Sequence, residues 1–210
     1  IGAGSVAAPA AGQTTMELGG QTLAVSQLEM TRLSDVGRTL SASRAFQDRA
    51  LAAARAVVNS PDARYVLALY QLEIGQRRRD DALRIEALDA LIPNRATRPE
   101  RLPGYLGIRG DIAFRARDYA TAAAMWTRLA ELRPGDPQTL MNLAQVRVAQ
   151  GEATGAIDLI RRAAALRHVM ATLGLSLPID RLRRRFAHAP WRALLETAAR
   201  AGYLARGAVY

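Results

Sequence analysis

Residues 106–168 carry one pattern twice. The first copy reads LGIRGDIAFRARDYATAAAMWTRLAELRPGDP, and the second, from Leu140, reads LMNLAQVRVAQGEATGAIDLIRRAAALRH. At a constant offset of 34, Leu106 falls on Leu140, Gly110 on Ala144, Ala122 on Ala156, Trp126 on Ile160 and Leu129 on Ala163. Small side chains recur where small ones stood, and large apolar ones where large ones stood. A fixed period of this length makes each copy one supersecondary unit that buries its apolar face against its neighbours.

Close helix packing accounts for the pattern. Each copy holds two helical stretches, about 104–116 and 119–132, then about 137–150 and 153–167. Gly110, Ala122, Ala144 and Ala156 provide the space in which the two backbones cross. Around them Leu106, Ile112, Trp126 and Leu129, then Leu140, Leu143, Val146, Ile157 and Ile160, recur at three- and four-residue steps, so each helix turns an apolar stripe to its neighbours. Burying a few such side chains, at roughly 1.5–3 kcal/mol each, outweighs the weak intrinsic stability of a three-turn helix. Arg117-Asp118 and Gly151-Glu152 fall at the turns inside the copies, and Pro134-Gly135-Asp136-Pro137 separates them.

A 34-residue period with two helices per unit resembles the tetratricopeptide repeat (TPR) family. The small residue at 110 or 144, the alanine at 122 or 156 and Pro134 sit where that family's motif puts them, whereas Arg147 replaces a large apolar residue and His168 the closing proline. The resemblance implies an all-α chain, an α-α superhelix of antiparallel helix pairs over 16–210, of the kind found in bacterial TPR-containing proteins. The clear repeats span 103–168.

Upstream the order is looser. Residues 1–15, small and uncharged, read as a flexible tail. The run opens on Ile1 and resembles the end of a secretory signal or the segment after a membrane anchor. A periplasmic or membrane-anchored location is therefore expected ahead of a cytoplasmic one. Leu23, Met30 and Leu33 share one side of a helix expected from about 21 to 33. Leu40, Phe46, Ala50, Leu51, Ala54, Val57 and Val58 mark helical turns as far as Asn59-Ser60-Pro61-Asp62, which caps the next helix. Helices from Ala63 to Gly75 and from Asp80 to Leu91 follow, so degenerate helix pairs are expected over 36–92. Ala50 to Ala82 is a step of 32, and Ala82 to Ala122 a step of 40. Part of the excess lies in the loop PNRATRPERLPG. After His168 the register fades into capping helices over 176–204, where Ile179, Leu182 and Phe186 share one face, Arg181, Arg184 and Arg185 the other, and Trp191 packs inward.

The 29 basic residues are all arginine, which with the heavy use of alanine points to a guanine- and cytosine-rich coding bias. The net charge of +10 is discounted accordingly. Cysteine is absent, which excludes disulfides and thiolate sites. His168 and His188 stand well apart in the chain with no partner at metal-ligand spacing, so neither a metal nor a cofactor is expected. No GxSxG elbow, GxxxxGK loop or HExxH helix occurs, and a lysine-free chain forms no lysine Schiff base. An enzyme is not expected.

What the resemblance implies is a groove lined by the first helices of the repeats. There Gly107, Asp111 and Phe114 stand at i, i+4 and i+7, and one repeat later Met141, Gln145 and Val148. Phe114, Met141 and Val148 are expected to form an apolar floor. Asp111, Arg115, Asn142 and Gln145 are expected to supply polar contacts to an extended or helical peptide. Some members of the family grip a terminal carboxylate with asparagine and basic residues. Asn142 fits that arrangement, but Asp111 puts an acid where an amide belongs. The expected role is a non-enzymatic scaffold that binds a protein segment, with a cell-envelope assembly as its setting. The alternative is an arginine-rich module in which Arg77 to Arg79 and Arg181, Arg184 and Arg185 bind nucleic acid or an anionic membrane.

Overall fold

A computed structural model describes residues 13–172, with the backbone alone at 13 and from 166 onward. The capping helices expected over 176–204 lie outside the described residues. The chain is mainly helical, and it divides between Tyr105 and Leu106 into two compact units.

The first unit opens with an antiparallel hairpin, β1 (Gln13–Leu18) and β2 (Gln21–Ser26), followed by α1 (Gln27–Arg38). This corrects two expectations. Residues 13 to 15 belong to a strand and not to a tail, and the helix expected from 21 begins only at Gln27. The determinant is Gly19-Gly20, whose φ angles of 57° and 75° make the left-handed two-residue turn that suits the twist of paired strands. Met16 pairs with Leu23 and Thr14 with Val25, so these residues share a face. Leu23 and Val25 on that face are buried.

Three helices follow: α2 (Arg44–Arg55), α3 (Pro61–Arg78) and α4 (Asp81–Leu91). Buried Tyr65, Val66, Ala68, Leu72 and Ile74 lie on several sides of α3, which packs against α1, α2, α4 and β2. Phe46, expected among the packed positions of α2, is instead 59% exposed, with the Arg49 guanidinium 5.8 Å from its ring centre.

Glu29 fastens the start of this unit. Its carboxylate accepts from the backbone N–H of Ser26, Asn59 and Ser60, each at 2.8 Å, and from the Ser60 hydroxyl at 3.2 Å. The first contact completes a capping box on α1, and the others join that helix to the N-terminus of α3. Burial pushes the carboxyl upward, but the amide donors of Ser26, Ser60 and Asn59 outweigh it and lower the pKa from the ordinary 4.5 to about 2.

The second unit begins within α5 (Leu102–Arg115) and continues through α6 (Tyr119–Leu132), α7 (Pro137–Ala149) and α8 (Ala153–Thr172). Its two intra-hairpin turns are the same turn. Arg117 and Gly151, at matching positions of the two copies, both have positive φ, 62° and 82°. Asp118 N–H donates to the Ala113 carbonyl at 2.9 Å, and Glu152 N–H to the Arg147 carbonyl at 2.8 Å. These bonds satisfy carbonyls that a helix end leaves open.

The same turn closes α3 onto α4. Arg79 has φ 55°, and Asp80 N–H donates to the Gly75 carbonyl at 2.9 Å. Aligned on the turns, from Arg79 to Arg117, the step between α3–α4 and α5–α6 is 38, not the 40 suggested by Ala82 and Ala122. In this register Leu88, Trp126 and Ile160 are equivalent, and all three are buried. So are Ala68, Leu106 and Leu140. Arg84 takes the place of the small Ala122 and Ala156, and Gly75 makes the room: a Cβ there would lie 2.8 Å from Arg84 Cγ and 3.2 Å from the Arg84 backbone nitrogen.

Replacing Glu29 by alanine strands three backbone N–H donors, and urea unfolding is expected to show a loss of about 2–4 kcal/mol. Because the folded pKa lies below 4.5, the carboxylate's contribution is complete above about pH 4.5 and is lost as the pH falls toward 2. The stability difference between the native chain and Glu29→Gln should therefore shrink over that interval.

Candidate functional site

The residues expected to line a groove come from α5 and α7. Each helix is anchored where its hairpin closes. On α5, Gly110 lies under the indole of Trp126, so close that an added Cβ would stand 2.4 Å from Nε1. That indole nitrogen is buried without a hydrogen-bond partner. On α7, Ala144 packs with Leu140, Met141, Ala156, Ile160 and Ala163. A small residue on the first helix thus meets a large one on the second in both hairpins.

This packing claims the apolar floor. Phe114 is half-buried, with ring centroids 5.6 Å from those of both Tyr119 and Trp126, so it packs against the second helix of its own hairpin. Met141 is 7% exposed and belongs to the α7–α8 core, and Val148 is partly buried against that core. Met141 is therefore hairpin interior, while Phe114 and Val148 pack against their own hairpins and stay half-buried. The reason is rotational: Leu143 and Ile157, assigned to the packed stripe, are only half-buried, while Leu140, Met141 and Ala144 meet α8.

Two of the expected polar contacts are also inside. Asn142 and Gln145 are 6% and 8% exposed. The Asn142 side-chain oxygen accepts from Gln138 Nε2 at 2.9 Å. Thr139, which sequence reasoning left aside, is buried, and its hydroxyl donates to the N-cap carboxylate of Asp136 at 2.6 Å. Buried polar groups of this kind are held because they are hydrogen-bonded. Asp111 is half-buried on α5, and Arg115 is exposed in its last turn, where a cation complements the helix dipole. Arg115 is the one exposed residue of the expected groove set, and Asp111, like Phe114 and Val148, is half-buried.

The arginines of the alternative reading divide. Arg78 is engaged within the first unit: Nε donates to Gln47 Oε1 at 2.7 Å, Nη1 meets Asp48 at 2.6 Å and Nη2 donates to the Arg44 carbonyl at 3.0 Å. Only 12% of its side chain is exposed. Hydrogen bonding to Arg78, opposed by a weaker desolvation, lowers the Asp48 pKa. Arg77 pairs with Glu73 at 2.7 Å and donates to the Leu40 carbonyl at 3.1 Å. These side chains join α3 to α2 and the segment before it, with Arg78 largely withdrawn from solvent while Arg77 and Arg79 remain exposed. Arg181, Arg184 and Arg185 lie outside the described residues. Among the described residues no cluster of three or more metal-ligating side chains occurs, and no helix is long and apolar enough to cross a membrane.

This packing predicts stability effects at Met141 and Gly110. Met141→Ala is expected to cost about 2–4 kcal/mol in chemical denaturation, as for a core methionine. Gly110→Ala is expected to cost about 1–3 kcal/mol, because the added methyl overpacks against Trp126. A change below about 0.5 kcal/mol at either position, the range of ordinary surface substitutions, would place it outside the core.

No family model, no curated protein and no solved structure matches the chain.

Proposed function

We propose that the chain is a non-enzymatic TPR-like scaffold whose repeated helix hairpins hold a protein or peptide partner. The observation that carries this reading is the recurrence of one turn, with its left-handed residue and its hydrogen bond, in α3–α4, α5–α6 and α7–α8. Three such hairpins meet the number that repeat arrays need for stability. Hairpins repeated in one order form a superhelix with an extended concave surface in such proteins, and that surface suits an elongated partner.

With Phe114, Met141, Asn142, Gln145 and Val148 committed to packing, the contacts to a partner fall to solvent-accessible groups. Asp111 and Arg115, at i and i+4 on α5, are the candidates. A partner recognised this way is read by polar contacts at the rim more than by an apolar floor, so its attachment should weaken moderately with salt.

The test is a pull-down from the source cell at low and moderate salt, comparing the native chain with an Asp111→Arg, Arg115→Glu variant of unchanged thermal stability. A defined protein, retained by the native chain and lost by the variant, is the expected result. Nucleic acid or lipid captured equally by both forms, and released steeply as salt rises, would overturn the scaffold reading. Function would then pass to the arginines after residue 172, where seven arginines stand against two acids in the sequence.

A further inference from the structure

The connection between α4 and α5, residues 92–101, contains Pro93 and Pro99 and forms only turns. Local bonds shape it, the Thr97 hydroxyl donating to the Leu91 carbonyl at 2.6 Å and the Ala96 N–H to Asn94 Oδ1 at 2.9 Å. In this chain longer-range hydrogen bonds tie it to the N-terminal hairpin and to the residues that the hairpin also uses. Gln21 Nε2 donates to the Ala96 carbonyl at 3.0 Å, and Arg98 Nη2 donates to the carbonyl of Gly19 at the hairpin tip. Asn94 Nδ2 donates to the Pro61 carbonyl at 3.0 Å. One carboxylate serves both segments: Asp62 Oδ2 accepts from the Ala24 N–H of β2 at 2.8 Å, while Oδ1 lies 3.7 Å from the Arg95 guanidinium. The Asp62 side chain is 13% exposed, so this double contact is partly shielded from water.

We infer that the β1–β2 hairpin and residues 92–101 form a single latch on the first unit, opening and closing as one body with Asp62 as its joint. The ties between the two segments are few and polar and open locally at less cost than a packed helix, while the burial of Leu23 and Val25 is what opening must give up. Leu23 and Val25, buried on β2, are covered only while the hairpin is seated, and β2 packs on α1 and α3. Opening therefore uncovers an apolar strip that the closed unit hides. The hairpin cannot leave without giving up the Gly19, Gln21 and Ala24 contacts, and two of these three end on the connection.

Hydrogen exchange read by mass spectrometry on the full chain tests this from both sides. Arg98→Ala cuts the latch at the connection, Gln21→Ala cuts it at the hairpin and Asp62→Ala cuts it at the joint. Each is expected to speed exchange by about five- to tenfold in residues 13–26 and 92–101 together, with Asp62→Ala the largest. Peptides of α3 beyond its first turn, and of α7–α8, should keep native protection. The inference is overturned if faster exchange stays within the segment that carries the substitution, if neither segment responds, or if α3 loses protection beyond its first turn as well, since the hairpin would then be part of the unit's global core.

Discussion

The close approach of paired helices governs most of this structure. A single left-handed residue between them, Arg79, Arg117 or Gly151, reverses the chain and brings the second helix back against the first. Little space remains at the crossing, and the residues there answer that demand: Gly110 under Trp126, Ala144 against Ala156 and Ile160, and Gly75 beside Arg84. Two of the three reversal positions are arginine, so the left-handed strain, of order 1 kcal/mol for a residue with a Cβ, is accepted and offset by packing. The same constraint explains why α7 is surrounded. Packed on α8 and also touching α6, it buries Thr139, Asn142 and Gln145 along with its apolar residues.

A different kind of interaction closes the first unit. The Glu29 carboxylate gathers backbone donors from two helix starts, which would otherwise carry open N–H groups and partial positive charge. Asp62 repeats the device in the first turn of α3, between β2 and the α4–α5 connection. The unit thus combines an apolar centre around α3 with carboxylates that order the segments before and after it. Arg78 adds a third polar joint, between α3 and α2, and in doing so leaves the set of side chains available to an outside anion.

For the proposed scaffold role, the consequence is a change in what a partner would meet. A groove whose floor is made of methionine and phenylalanine would be bound by apolar insertion. Of the α5 and α7 residues expected in that floor, Met141 is part of a hairpin core and Phe114 and Val148 are half-buried, while the exposed residue beside them is Arg115. Under the proposed role, specificity would rest on polar groups carried by helices that Met141, Asn142 and Gln145 help to pack.

The linear chain by itself determined the helical character, the 34-residue period, the turns at Arg117-Asp118 and Gly151-Glu152 and the small residues at the crossings, because each follows from spacing along a single helix or from local turn chemistry. It held the hairpin signal too, in Gly19-Gly20 between alternating residues, but helical spacing of Leu23, Met30 and Leu33 competed with it over the same stretch. Only the tertiary structure decided the register of α3–α4, since the matching turn there carries Arg79 with no glycine to mark it. It also decided the fate of the candidate site. Sequence spacing places Met141, Asn142 and Gln145 on one side of α7, but whether that side meets water or neighbouring helices is set by residues far along the chain, as the grip of Glu29 on Ser60 is.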